Sequence, residues 1–361
     1  MVDRVNMIVL TKRKRGQSKL LRWRFCEEKR RNNSVTQWLF LIFLFCFSSC
    51  QNSVKQHHLK GFTQGTYYEI RYYDKQNRNL HPQIDSLLND FLKTASIFDP
   101  SSIISRINRN EDDVELNDDF IEIFTISQEV SRQTGGAFDV TVGQLVNAWG
   151  FGPEKRQTMT KEIIDSLLVF VGYEKVRLEN KKVTKENPYI SLNFNAIAKG
   201  FSVDKVGRFF DELEIDNYLI DIGGEILAKG NKQGKPWMVG IEQPPHEKEN
   251  TDRALITAIP LNNTALATSG NYRRYFEENG MRYAHTISPK TGYPVYHSLL
   301  SVTILHPKTV YADAYATAFM VIGLEETLKI LEKHPEIQVF LIYEEDGHLK
   351  TYASKKMEQL K

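Results

Sequence analysis

The sequence predicts an α+β fold: one large domain in which mixed or antiparallel sheets are packed by helices. Three observations predict it. Helix-like and strand-like segments follow one another irregularly, without the strict βαβ alternation of a doubly wound parallel sheet. Hairpin signals are interspersed, the clearest being Asn279-Gly280, the dipeptide that a two-residue type I′ turn favours, between strand-like segments 272–278 and 281–286. No linker-like composition divides the chain after about residue 60, so a single core is expected over 61–355.

Taken in order, residues 62–73 alternate as a strand, with Tyr68, Ile70 and Tyr72 on one face, and 84–98 carry apolar residues at helical spacing. Residues 120–134 form a second amphipathic helix, stopped by Gly135-Gly136, because glycine enters the left-handed region cheaply. Short strands are expected at 169–178 and 189–194, then a helix at 197–213 with Asn195 as its N-cap. A strand at 218–222 breaks at Gly223-Gly224, and strands follow at 237–242 and 255–260. After the hairpin come a strand at 301–305, a small-residue helix at 312–323, a more polar helix at 325–334 and a last strand at 339–343 before a charged tail. There is no exact repeat.

Charge and cysteine usage mark off the start of the chain. Residues 1–50 hold 11 Lys and Arg against 3 Asp and Glu, and they contain all three cysteines, Cys26, Cys46 and Cys50. The remainder is mildly acidic at −6, which argues against a nucleic-acid partner, and it cannot form an internal disulfide. Residues 38–47 are a short, nearly uncharged apolar run behind Arg30 and Arg31, too short to span a bilayer, which takes about twenty residues. The run ends in Phe47-Ser48-Ser49-Cys50, which resembles a bacterial lipobox with phenylalanine in place of the usual leucine. The expectation is a leader over 1–49, lipidation at Cys50, a polar tether over 50–60 carrying solvated His57 and His58, and a lipid anchor facing the periplasm in the cell envelope. The alternatives are an uncleaved anchor or a plain signal peptide. The leading 35 residues exceed an ordinary n-region and point to a misassigned start.

Four segments could carry chemistry. In 311–317, Asp313 and Thr317 lie four residues apart and so share a helix face, while Ala312, Ala314, Ala316 and Ala318 leave room for another backbone to approach. A carboxylate, a hydroxyl and a borrowed carbonyl are hard ligands suited to Mg²⁺ or Ca²⁺; an Asp near a helix start with a Thr bonded to its own backbone would read the same way. In 193–200, Lys199 falls in the first turn of a helix, where a positive charge opposes the dipole unless an anion such as a phosphate occupies the entrance. Residues 135–143, with Trp149-Gly150-Phe151-Gly152 beyond, join bending backbone to aromatic and acidic side chains, a combination suited to a flat heterocycle. In the hairpin region the predicted register sets Arg274 opposite His285, and Ser288-Pro289-Lys290-Thr291-Gly292-Tyr293-Pro294 follows on an irregular path; His285 is a candidate base or an ordinary strand histidine. Neither a P-loop nor a G-x-G-x-x-G fingerprint is present, which argues against a Rossmann nucleotide site.

Several of these segments, in order, resemble the ApbE family of FAD:protein FMN transferases, many of them lipoproteins. The likeness is carried by Thr63-Gln64-Gly65-Thr66-Tyr67, residues 98–108 from Phe98-Asp99-Pro100, residues 135–152, Ala196 to Gly200, Asp221-Ile222-Gly223-Gly224, Thr268-Ser269-Gly270, His285 to Pro294 and Asp313 to Thr317. It spans about residues 62–345. The resemblance implies a single T-fold-like α+β domain of the ApbE type holding FAD beside Mg²⁺, with Ala196 (through its carbonyl), Asp313 and Thr317 as metal ligands. It further implies that Gln64, Phe98, Ala137, Phe138, Asp139, Asn193, Lys199 and His285 contact FAD, and that His285 or Asp313 acts as the base, His285 being favoured because a metal-bound carboxylate is a poor one. Gln64 stands where many members have methionine, Asn193 where many have aspartate, and Ser288 where aspartate often precedes the proline, so contacts at these positions differ. The implied reaction is Mg²⁺-dependent transfer of FMN from FAD to a Thr or Ser hydroxyl of an exported acceptor, with AMP released. Family acceptors include subunits of sodium-translocating NADH:quinone reductase (Nqr) and Rnf-type electron-transport complexes. The alternatives are Mg²⁺-dependent FAD hydrolysis to FMN and AMP, and a non-catalytic FAD-binding lipoprotein.

Overall fold

The computed structural model describes residues 54–244, 254–271, 275–278 and 281–360. The expected leader, the three cysteines, Arg274 and Asn279-Gly280 lie outside the described residues. One compact unit covers Val54–Lys361.

Its centre is an eight-stranded sheet in the order β1 (Gln56–Thr63), β2 (Thr66–Tyr73), β5 (Asn217–Ile222), β6 (Glu225–Lys229), β9 (Thr264–Gly270), β12 (Leu299–His306), β13 (Gln338–Glu345) and β14 (His348–Ala353), antiparallel at every junction. The expected strand at 62–73 is in fact a hairpin, β1 (Gln56–Thr63) and β2 (Thr66–Tyr73), turning on Gln64 and Gly65. Both turn residues have positive φ, 51° and 73°, as a type I′ turn requires. Glutamine gives no turn signal in sequence, so the reversal was not foreseen. Residues 56–60 of the expected tether therefore belong to the fold. His57 stacks on Tyr72 and His58 bonds Glu69 at 2.8 Å, so neither histidine is merely solvated.

The alternation of β2 places Tyr68, Ile70 and Tyr72 on the inner face, as expected. There they meet Tyr218, Ile220 and Ile222 of β5 (Asn217–Ile222), together with Ile84 and Leu88 of α1 (His81–Ala95) and Val203, Val206 and Phe210 of α6 (Ala198–Glu212). Between α1 and α6 run α2 (Ile103–Asn108), α3 (Asp118–Gln133), α4 (Gly143–Ala148), α5 (Lys161–Leu168) and the hairpin β3 (Val176–Glu179) and β4 (Lys182–Lys185). The start of α3 is set by Asn117, whose Oδ1 accepts the Phe120 N–H at 2.9 Å, and its end by Gly135 and Gly136 as expected. The strand expected at 189–194 does not form: Tyr189 lies in a turn, and Ser191 alone makes a β-bridge, parallel to Val142.

The opposite face of the sheet is covered by the hairpin β7 (Trp237–Glu242) and β8 (Leu255–Leu261), with Trp237, Val239 and Ile259 packed on Leu219, Ile226 and Ala228. Strands β6 (Glu225–Lys229), β9 (Thr264–Gly270) and β14 (His348–Ala353) had no expected counterpart. The hairpin β10 (Tyr275–Glu278) and β11 (Met281–Ala284) pairs Glu278 with Met281, as the two-residue turn demands. Strand β12 (Leu299–His306) leads into α7 (Thr309–Lys333), whose backbone breaks at Gly323 (φ 79°), separating the two expected helical stretches. β13 (Gln338–Glu345) and α8 (Lys355–Glu358) complete the chain.

Candidate active site

The site forms where two hairpin tips, the start of α6 and the first turns of α7 meet at one end of the sheet. Gly223 and Gly224 close a two-residue turn between Ile222 and Glu225, with φ of 63° and 98°. A Cβ at Gly223 would lie 2.7 Å from Thr66 Cγ2, and the Gly223 N–H donates to the Tyr67 carbonyl at 3.0 Å, so the two tips stack directly. Gln64, at the first tip, reaches α6 by donating from Nε2 to Ser202 Oγ at 2.5 Å.

Helices α6 and α7 cross at near-contact distance. A Cβ on Gly200 would fall 2.6 Å from the Thr309 carbonyl oxygen and 2.8 Å from Asp313 Cβ. The Gly200 N–H donates to Asp313 Oδ2 at 2.9 Å. Ala312, Ala314, Ala316 and Ala318 are all fully buried, while the close approach to α7 is made by Gly200. The crossing is also pinned from the other side, because α7 has no side-chain cap of its own and Asp204 of α6 supplies one. Its two oxygens accept the Thr309 and Val310 N–H groups at 2.8 and 2.9 Å.

Around this crossing lie Asp313 and, one turn on, Thr317, whose Oγ1 is 3.3 Å from Ser269 Oγ of β9. Lys199 is in the first turn of α6, and Glu225, the residue after the Gly-Gly turn, meets its Nζ at 2.5 Å. Asn195 is not the cap of α6. Asn193 Oδ1 instead accepts the Asn195 N–H at 2.9 Å, forming a turn, and the helix begins at Ala198 behind Ile197 without a side-chain cap. That turn carries Ala196 immediately ahead of the helix.

Burial pushes the carboxyls of Asp313, Glu225 and Asp221 upward; Lys199 pulls all three back. A divalent cation bound beside these buried carboxyls would favour their ionised forms, as Lys199 does. Among the described residues no three His, Cys, Asp or Glu side chains converge as a metal cluster. A cation here would therefore draw on backbone and hydroxyl oxygens and on the oxygens of its substrate, the hard-donor set that suits Mg²⁺. The residues fit the ion.

The other expected contacts form a neighbouring wall. Ala137 and Phe138 are buried, and the Asn193 N–H donates to the Val140 carbonyl at 2.7 Å, which seats residues 137–140 beside the Ala196 turn. The Asp139 carboxylate is engaged within the protein, accepting from Thr141 N at 2.8 Å, Thr141 Oγ1 at 2.6 Å and Tyr173 N at 2.8 Å, and burial pushes its carboxyl up. Against this wall lies a cavity of about 160 Å³ bounded by Ile97, Asn108, Gly143, Asn147, Ser191 and Asn193, with Phe98 exposed next to Ile97. His285 is exposed and stands edge-on to Phe151 at 6.4 Å. Its segment is tied to α4 by Trp149 Nε1 donating to the Gly292 carbonyl at 2.8 Å. Sequence reasoning missed Glu225, Ser269, Ser202 and Asp204; only Ser269 had a signal, as part of Thr268-Ser269-Gly270.

A family model for ApbE matches residues 64–341. The chain belongs to the ApbE family. The FAD:protein FMN transferase of Haemophilus influenzae is 39% identical over 328 residues, covering 87% of this chain and 94% of that protein. The Vibrio cholerae FAD:protein FMN transferase is 36% identical over 331 residues, covering 89% and 97%. Among solved structures, the flavin transferase ApbE from Vibrio cholerae superposes with a TM-score of 0.77 at 34% identity, covering 85% of this chain and 99% of that one. The Pseudomonas stutzeri flavinyl transferase ApbE gives 0.76 at 30% identity, covering 85% and 96%. The α+β architecture is thus that of ApbE flavin transferases.

Proposed function

We propose that this chain transfers FMN from FAD to a hydroxyl of an acceptor protein and releases AMP. The observation that supports the reading is the α6–α7 crossing, where the Gly200 N–H, next to Lys199, donates to Asp313 and Thr317 follows one turn on, in a chain whose relatives are FAD:protein FMN transferases. The acceptor Thr or Ser oxygen attacks the FMN phosphorus, the phosphoanhydride bond breaks, and AMP departs with the electron pair. Lys199 stabilises charge on the diphosphate, and His285 takes the acceptor proton. The Ala196 carbonyl, Asp313 and Thr317 would hold Mg²⁺, which would neutralise the diphosphate and the leaving AMP. Gln64, Phe98, Ala137, Phe138, Asp139 and Asn193 are the further residues proposed to line the FAD site.

The acceptor is proposed to be an exported electron-transport subunit of the Nqr or Rnf type. The chain itself is proposed to be a lipoprotein held at the membrane through Cys50; among the described residues no helix is long and apolar enough to cross a membrane.

The test incubates the full chain with FAD, Mg²⁺ and an exported acceptor fragment, reading acceptor mass and AMP. Added FMN mass together with AMP supports transfer. AMP without added mass replaces transfer with hydrolysis, and bound FAD with neither product leaves a carrier. Cys50→Ser is expected to move the protein from the membrane to the soluble fraction; unchanged retention would refute the lipid anchor.

A further inference from the structure

We infer that Glu225 is a positioning residue for the transfer, holding the Lys199 ammonium where the FAD diphosphate must bind. The inference rests on the transferase reading above and adds a residue to it. Glu225 follows the Gly223-Gly224 turn and is only 2% exposed, with its carboxylate 2.5 Å from Lys199 Nζ. Leu227, two residues on along the same strand face, packs on Gly207 of α6, so strand and helix are seated together at two points.

The pair answers a problem set by the helix. In the first turn of α6 a lysine opposes the dipole, and a long flexible side chain in that position would swing toward water. Glu225 supplies the opposite charge that keeps it in place. A purely structural reading explains the arrangement poorly. A buried ion pair is seldom better for stability than apolar side chains of the same volume, and this one is further burdened by Asp313 and Asp221, which both act on Glu225 as like charges. An arrangement costly to the fold is understandable if the lysine must stand ready for a phosphate. The Gly200 N–H, one residue on from Lys199, donates to Asp313 Oδ2 at 2.9 Å, so the backbone that carries the lysine is anchored to the carboxylate proposed for the cation.

The test is equilibrium binding of FAD and of riboflavin, which lacks the diphosphate, followed by flavin fluorescence in Mg²⁺ with the full-length chain and no acceptor. Glu225→Gln is expected to weaken FAD binding about tenfold, through the lost ordering of Lys199, and to change riboflavin binding by less than about twofold. In a Lys199→Met background the Glu225→Gln change is expected to have almost no further effect on FAD, because its partner is gone. Equal weakening of FAD and riboflavin, or effects of the two substitutions that multiply, would overturn the inference by showing a general packing role. If Glu225→Gln does not unfold cooperatively, Glu225→Asp, which keeps the charge but withdraws it by one methylene, is put through the same comparison and is expected to lose FAD affinity about threefold. A wild-type chain that binds no FAD would sink the transferase reading itself, whereas transfer-competent wild type with multiplying effects would sink only the role of Glu225.

Discussion

Gly200→Ala should damage the protein even though helix propensity favours it. In an unobstructed helix the change would stabilise by about 1 kcal/mol, since alanine is the better helix former. Here the new methyl would lie 2.6 Å from the Thr309 carbonyl oxygen and 2.8 Å from Asp313 Cβ, both on α7. An ordinary carbon-to-oxygen contact is about 3.4 Å, so α7 must retreat by about 0.8 Å. Overpacking of this kind costs about 2 kcal/mol, and lengthening the Gly200 N–H bond to the buried Asp313 carboxylate costs about another 2. Set against the propensity gain, the net expectation is a loss of about 3 kcal/mol, read by urea denaturation. Because Asp313 and Thr317 travel with α7 while Lys199 stays on α6, an FMN-transfer assay should lose about 100-fold, the scale on which displacements near 1 Å act. Gly207→Ala, on the same helix, is the control: its methyl would crowd Leu227 Cδ2, a side-chain end that can rotate away, and would meet Tyr218 Oη and Ile220 Cδ1 at ordinary contact distance, so stability and rate should change little. A Gly200→Ala protein that is as stable and as active as wild type would refute the argument that this crossing sets the site.

Three further outcomes are expected. Asp313→Ala should abolish Mg²⁺-dependent AMP release, measured by chromatography; Mg²⁺-dependent turnover at the wild-type rate would remove Asp313 from the ligand set. His285→Ala should slow transfer by about 100-fold while flavin fluorescence shows FAD still bound, and full transfer activity would exclude the imidazole as base. Asp74 is buried and accepts from Arg78 Nε at 2.8 Å, Nη2 at 2.9 Å and backbone N at 2.7 Å, and the Arg78 guanidinium holds its carboxyl down at about 2. A depressed carboxyl stabilises the fold above its unfolded value and stops doing so as pH falls through the folded one, here between about 4 and 2. Asp74→Asn should therefore cost about 2 kcal/mol in urea at pH 7, with the gap to wild type closing near pH 2; a gap independent of pH would contradict the assignment.

Where sequence alone sufficed, the signal was local. Helix α3 carries apolar periodicity between an asparagine and a Gly-Gly stop, and each feature acts within its own turn. The face of Tyr68, Ile70 and Tyr72 is legible because strand alternation has a fixed period. The break in α7 at Gly323 was legible for a similar reason: residue type and change of pattern coincide. Strand β14 was not, because at the sheet edge its His348–Ala353 residues are exposed or half-buried, none fully buried, and read as a charged tail. The first hairpin was hidden because a glutamine adopts the left-handed turn conformation, held there by a bond to Ser202 that lies 138 residues away.

The same distinction governs the site. Asp313 and Thr317 could be paired on paper because four residues make a helical turn. Nothing within α7 says what faces them. That is decided by Asp204, which caps α7 from α6, by Gly200, which lets the helices close, and by Ser269, which a central strand brings to Thr317. Each is an ordinary residue type whose meaning comes from a partner at least 48 residues distant. The groups proposed to carry chemistry were therefore visible in sequence, whereas the residues that give them a fixed geometry were not. Substitutions at Gly200 and Asp204 should accordingly impair the site by altering the crossing, with every proposed ligand side chain intact.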